Sequence, residues 1–563
     1  MRPATVSRLT MAVAALVCAL LALQPATARA ASYTKISGGG STWSSNALDQ
    51  WRRNVAANSG MTVNYSPVGS SVGREQFKNG TADFAVSEIP YGLTESGMRD
   101  APPKRGYAYM PIVAGGTAFM YNLRIGGRKV TNLRLSGEVI TKIFTGTLTM
   151  WNAPEIRADN PGLVLPARRI IPVVRSDGSG TTAQLTTWLA KEHSGLWDAY
   201  CRRAGRSTPC GMTSYFPVVP GSSTIAKSGS LGVSGYTKQG HAEGAITYVE
   251  YSYAIKTGFP VAKVLNASGY YVEPTASSVA VALMKARINE DKNSENYLTQ
   301  ILDGVYRSAD RRTYPLSSYS YMIVPTKAES PFTTAKGKTL GSFANYFLCE
   351  GQQQAEELGY SPLPKNLVEA GFTQVRRIPG APSADIDIKS CRNPTFSSDG
   401  SNTLARNAPY PKACDKRGTT QCADGTAGAK QQTRVNSGAD GGGSGGGTGG
   451  TGGTGAAGGK GGAGTAGASG GSTGTDGASG AAAGGGAASG AVDPDTGEPI
   501  EGSAGGGDAS VVGNPVTLAA GGSPGLRGVL MALSAVLLLG VVVGPPLTAR
   551  ALAARNRRKE GPR

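Results

Sequence analysis

Histidine is nearly absent from this chain, with His193 and His241 the only two among 563 residues. A nucleophilic triad needs a base held beside its serine, and a zinc centre needs several nitrogen or sulfur ligands at short spacing. Both histidines lie in polar stretches with no spacing that brings either to a serine, and Cys201 and Cys210 stand too far apart for a zinc pair. Enzymatic chemistry, metal and cofactor are therefore not expected. The Lys-Ser or Lys-Thr pair of a P-loop is missing too, after the glycines of the stretch at 178–181. The formal charge of +18 is scattered apart from a short cluster at the C-terminal end, and no nucleic-acid-binding motif accompanies it. Nucleic acid is not an expected partner; anionic ligands or envelope polymers suit such a charge.

A hydrophobic core is missing from the last part of the chain. The 81 glycines are concentrated late, and from 437 to 524 the sequence is mostly Gly, Ala, Ser and Thr, which reads as a disordered linker. Fold reasoning belongs to what precedes it. At the start, Arg2 and Arg8, an apolar run from Met11 to Leu23 and Ala28-Arg29-Ala30 give a signal peptide over 1–30, so the mature protein is exported. Cys18 follows Leu16-Val17 and no small residue, which excludes a lipoprotein acylation site, and there is no Leu-Pro-x-Thr-Gly wall signal. The apolar stretch 525–549 is about long enough to span a bilayer, and Arg550, Arg555, Arg557, Arg558 and Lys559 follow it. That charge places the tail 550–563 in the cytoplasm and the globular part outside, anchored in a bacterial cytoplasmic membrane.

Six cysteines remain after the leader: Cys201, Cys210, Cys349, Cys391, Cys414 and Cys422. An even number in an exported chain favours disulfides, with 15 possible connectivities. Proximity favours Cys201 with Cys210 and Cys414 with Cys422, leaving Cys349 for Cys391. The extension 381–436, which carries three of them, reads either as a small stapled appendage or as a disordered strip with one loop.

The chain is organised around a strand, a small-residue turn and a helix: Ile170 to Val174, then Arg175-Ser176-Asp177-Gly178-Ser179-Gly180-Thr181, then Leu185, Trp188 and Leu189 at helical spacing. The unpaired N–H groups of a helix's first turn favour an anion, and Arg175 adds a planar, always-charged fork. Two further small-residue turns open helices, at Gly38-Gly39-Gly40-Ser41-Thr42-Trp43 and at Gly69-Ser70-Ser71. A further strand, Asp83 to Val86, ends in Ser87-Glu88, which puts a carboxylate where ligands of α/β sheets gather. Phosphate at neutral pH still carries a proton and sulfate does not, so an acceptor at Glu88 would admit the first and repel the second.

Those stretches, with Asn160-Pro161-Gly162-Leu163 and Gly244-Ala245-Ile246-Thr247-Tyr248-Val249-Glu250-Tyr251, resemble the phosphate-binding protein of bacterial phosphate ABC importers over about 33–378. The resemblance implies an α/β, type II periplasmic-binding-protein fold over 31–380, two lobes closing on one phosphate. It implies ligand groups at Thr42 and Trp43, at Ser70, at Glu88, and at Arg175, Ser179, Gly180 and Thr181, with Asp177 pairing with Arg175 to hold its fork in place. Two positions depart from the family, which usually has an aspartate where Glu88 stands and a phenylalanine where Trp43 stands. Met120-Tyr121-Asn122 and the segment after Tyr251 are the expected crossings, giving one lobe of about 33–122 plus 254–378 and another of about 123–253. The function implied is capture of inorganic phosphate for an ABC permease and its ATPase. The alternative is a membrane-anchored surface sensor or adhesion protein that keeps the fold without transport.

Overall fold

Gly40 ends the first strand with φ at +137°, and a side chain there would run into the Val86 carbonyl. The glycine allows two strands and a helix to close together at this point, and the rest of the fold is laid out from it. The computed structural model describes residues 33–436 apart from 96–97, 295, 383–387 and 389–390. The expected leader, the low-complexity linker, the apolar span at 525–549 and the basic tail lie outside the described residues. Among the described residues no helix is long and apolar enough to cross a membrane.

The first block runs β1 (Ile36–Gly40), α1 (Ser45–Ser59), β2 (Val63–Ser66), α2 (Ser70–Lys78) and β3 (Phe84–Ser87). β1 lies between β2 and β3, parallel to both. A long strand β4 (Tyr107–Tyr121) follows, then α3 (Gly137–Phe144), and then a second block: β5 (Ile171–Arg175), α4 (Gly180–Glu192), β6 (Ile225–Lys227), α5 (Gly229–Thr237) and β7 (Ala245–Glu250). Here β5 lies between β6 and β7, again in parallel. The chain continues through α6 (Tyr251–Thr257), β8 (Val261–Leu265), β9 (Ser317–Pro325), α7 (Thr334–Leu348) and α8 (Lys365–Val375).

One sheet joins both blocks, in the order β6-β5-β7-β4-β9-β3-β1-β2. β4 pairs antiparallel with β9 from Tyr107 to Gly116 and with β7 from Thr117 to Tyr121. The change of partner falls between Gly116 and Thr117, ahead of the crossing expected at Met120 to Asn122. Val261 still pairs with Met120, so the chain returns to the first block later than residue 254. α7 stops at Leu348, where Cys349 leaves helical geometry, and a short turn follows at Glu350–Gln354. Trp51 stacks on Phe347 in the first block, while Phe144, Phe216 and Tyr248 form a ring cluster in the second. Leu185, Trp188 and Leu189 are buried on α4, as their spacing predicts. Both ring groups belong to one continuous buried core that runs across the shared sheet.

Among the described residues there are three disulfides: Cys201–Cys210, Cys349–Cys391 and Cys414–Cys422. The extension, expected as an appendage or an unstructured strip, lies along the body as a strap. Near its start Asn393 and Thr395 donate to the Leu363 carbonyl, and Arg312 donates to that of Ala405. It then reaches Arg134, which is 1% exposed and packs over the Tyr271 ring. The Arg134 guanidinium donates to the carbonyls of Asp159 (2.9 Å), Cys414 (2.9 Å) and Thr419 (2.7 Å), and Asn132 donates to that of Cys422. A buried guanidinium tolerates its setting only when its donors are matched in this way. Arg134→Ala leaves these carbonyls without their donor, and we expect it to destabilise the chain by about 3 kcal/mol, read by urea denaturation.

Candidate functional site

The C-terminal ends of the parallel strands of both blocks face one place, and a small-residue turn leaves each of β1, β2, β5 and β6 there to start a helix. Four helix N-termini therefore bring their unpaired N–H groups together. Contacts between the turns fix the arrangement. The Thr42 and Ser230 hydroxyls lie 2.8 Å apart, joining the turns before α1 and α5. The Gly180 N–H donates to the Ser70 hydroxyl at 3.1 Å and the Ser71 N–H to the Gly178 carbonyl at 3.1 Å, joining α2 to α4.

Arg175, at the end of β5, is 2% exposed. Its Nε donates to Asp177 Oδ1 at 2.7 Å, its Nη2 donates to Asp177 Oδ2, and its Nη1 reaches Ser230 Oγ at 3.4 Å. The fork is thus fixed by one carboxylate, the role the resemblance implies for Asp177. Asp177 also accepts from the Gly229 N–H at 2.9 Å. Burial pushes its carboxyl up, but the hydrogen bonds and charge of Arg175 and the Gly229 N–H outweigh that and hold it below the usual carboxylate range. Ser179 caps α4, its hydroxyl accepting from the Thr182 N–H. Thr181 is 1% exposed, and its hydroxyl has no hydrogen-bond partner among the described residues.

Glu88, one step past β3, is 1% exposed and faces three hydroxyls. Ser41 donates to both of its oxygens, at 2.7 and 2.8 Å, Ser70 donates to Oε2 at 3.0 Å, and Ser320 donates to Oε1. Burial raises its carboxyl above the ordinary value, and the three hydroxyls pull against that rise. Gly180 lies against the same carboxylate, and a Cβ at that position would collide with it. The Trp43 side chain points away from this cluster into the core, edge-on to Tyr360, while its backbone N–H donates to Ser41 Oγ at 3.0 Å.

The structure therefore gathers Thr42, the Trp43 backbone, Ser70, Glu88, Arg175, Asp177, Ser179, Gly180 and Thr181 into one buried neighbourhood. It adds residues that sequence reasoning missed: Ser41, Gly229, Ser230 and Ser320. Gly229-Ser230 repeats the strand, small-residue turn and helix pattern of the other three turns, and that pattern could have revealed it. The histidines stay away. His193 is at the C-terminal end of α4, a helix length of roughly 20 Å from Ser179, and packs on Trp188.

Residues 25–350 match the model of the PBP superfamily domain, which is more than half of the chain. The chain belongs to that superfamily, with its mixed α/β periplasmic-binding-protein-like fold, and within it to the phosphate-binding proteins. It is 31% identical over 345 residues to the phosphate-binding protein PstS of Xylella fastidiosa, covering 61% of this chain and 86% of that one. It is 31% identical over 332 residues to the phosphate-binding protein PstS 2 of Mycobacterium tuberculosis, covering 58% and 82%. Among solved structures, a phosphate-binding protein from Stenotrophomonas maltophilia aligns with a TM-score of 0.43 and 17% identity, over 66% of this chain and 99% of that one. This is a family of binding proteins and not of enzymes.

Asp177 sets a pH dependence whose sign is fixed. Because its folded value is depressed, its contribution to stability is complete above about pH 4, the unfolded carboxylate range, and is lost as the pH falls through the folded value. We expect Asp177→Asn to melt below the wild type at neutral pH, with the gap closing toward about pH 2, as followed by circular dichroism.

Proposed function

We propose that the chain captures one inorganic phosphate where the two blocks meet, by hinge closure of two lobes in the manner of a type II binding protein, and delivers it to an ABC importer. Thr42, the Trp43 N–H, Ser70, Arg175, Ser179, Gly180 and Thr181 supply the donors, the Trp43 and Gly180 N–H groups and the Ser70 hydroxyl exchanging Ser41, Ser70 and Glu88 for the ligand as it binds, and Asp177 keeps Arg175 in place. The two runs of β4, paired with β9 and then with β7, suit a pivot of this kind, since neither block unfolds when the angle between them changes. Export by the leader and anchorage by the stretch at 525–549 would place the binding body outside the cytoplasmic membrane, beside the permease and ATPase.

The observation that carries this reading is the combination of many donors with one buried acceptor. Four helix N-termini and a guanidinium match a multiply charged oxyanion, while Glu88 is a buried acceptor with which a protonated oxyanion can pair and a bare one cannot. Phosphate brings that proton near neutral pH. Sulfate would face the carboxylate with a bare oxygen, and the repulsion is not screened by water at a site this buried.

Isothermal titration of the purified full chain, freed of endogenous ligand, tests the proposal. Phosphate is expected to bind one-to-one and sulfate to give no heat; no response to either would remove the reading and bring the sensor or adhesion alternative forward. Arg175→Ala leaves a buried anion without its counter-charge and should weaken phosphate more than roughly a hundredfold. Glu88→Gln should chiefly narrow the preference for phosphate over sulfate, and an unchanged ratio would take Glu88 out of the site.

A further inference from the structure

An isolated carboxylate with one methylene more than the family's aspartate would have a wider choice of positions, and its usefulness as an acceptor depends on where it is held. The hydroxyls around Glu88 can be assigned donor by donor. Ser41 Oγ accepts from the Trp43 N–H at 3.0 Å, so its single proton is left for Glu88, which it meets at 2.7 and 2.8 Å, between the two oxygens. Ser70 Oγ accepts from the Gly180 N–H at 3.1 Å and in turn gives its proton to Oε2 at 3.0 Å. Ser320 gives its proton to Oε1. Ser70 is a residue the phosphate reading already uses as a ligand group. Ser41 and Ser320 are not, and both touch Glu88 from the framework side.

Each of the two is held by backbone pairing. Ser41 follows β1; its N–H donates to the Val86 carbonyl at 2.8 Å, and its own carbonyl accepts from the Tyr65 hydroxyl at 2.7 Å. Ser320 is in β9, where Tyr321 pairs with Ser87 and Met322 with Val86, so one further step of the same register sets Ser320 opposite Glu88. On its other side β9 slips register against β4 between Ser320 and Tyr321, next to Pro111, which has no N–H to give the ladder. Such bulges redirect a side chain beside a site, and Ser320 is fully buried here. Tyr65 from β2 and Tyr321 from β9 are the titratable side chains that feel the Glu88 charge: burial first, and that charge with it, pushes both phenols up.

We infer that Ser41 and Ser320 are positioning residues that clamp the longer Glu88 side chain against the sheet, and that the clamp sets how strongly the site prefers a protonated oxyanion. The inference rests on the phosphate reading. With the clamp in place, the hydroxyls from the sheet fill the inner lone pairs of the carboxylate and leave an outward one for the ligand's hydrogen. Without it, the freed carboxylate keeps hold of the Ser70 hydroxyl and turns toward the α4 N-terminus, competing with the ligand for the donors of both. A glutamate in place of an aspartate is then tolerated because these two serines constrain it.

The test is titration of the full chain with phosphate and with sulfate as probes, for the wild type, Ser41→Ala, Ser320→Ala and Ser320→Thr, each checked for a cooperative melt. Loss of one hydrogen bond to a charged group should weaken phosphate roughly tenfold in Ser320→Ala and narrow the phosphate-over-sulfate ratio, with Ser320→Thr restoring both. Ser41→Ala should act in the same direction, which covers the case of a Ser320 variant that does not fold. In a Glu88→Ala background, where there is no carboxylate to hold, adding Ser320→Ala should leave the ratio where Glu88→Ala puts it. An unchanged ratio in both single variants, or an equal and additive loss in the Glu88→Ala background, would overturn the clamp while leaving the phosphate reading standing. Failure of the wild type to bind phosphate would instead remove that reading, and the clamp with it.

Discussion

A charge taken out of water must be given back, group by group, what the solvent supplied. Glu88 and Arg175 are almost wholly withdrawn from solvent and Asp177 mostly so, and much of the fold can be read as a way of meeting that demand. A parallel strand followed by a helix delivers unpaired N–H groups at one edge, and a single block of three such strands delivers them from one side only. Two blocks set edge to edge surround the charges. Most of the remaining donors are small hydroxyls, because Ser and Thr can accept from a helix N–H and donate to a carboxylate in the same place.

The antiparallel pair β4 and β9 between the blocks has a different duty. It belongs to neither set of turns, yet β9 borders β3 and so reaches the carboxylate from a direction the helices do not cover. β4 spans fifteen residues, roughly 50 Å when extended, which is why both blocks can share it. The site is therefore made of local turns whose mutual placement is decided by strand pairing.

That division explains what was legible beforehand. Turn-to-helix stretches are local in sequence, so Ser70, Arg175, Asp177 and Ser179 to Thr181 could be read from their neighbours, as could the apolar face of α4. Nearby cysteines found their partners for the same reason. Ser320 could not be found by that route: it stands 232 residues from Glu88, and only register and topology bring it there. The change of partner on β4 falls between Gly116 and Thr117, a few residues ahead of Met120, and has no signal in sequence because an apolar strand looks the same before and after it changes partner. The strap escaped notice because its hold is polar, through backbone carbonyls that carry no side-chain signature.

The family's extent and the folded unit's extent are consequently different lengths of chain. The superfamily match ends at residue 350, but the Cys349–Cys391 bond and the carbonyls of Cys414, Thr419 and Cys422 belong to the same packed body as Arg134 and Asn132. A segment beyond the inherited domain has become internal to it. For this chain, the module that ancestry defines is shorter than the one that thermodynamics defines, and a fragment cut to the first would present the second with open wounds: a buried guanidinium and an amide stripped of their acceptors.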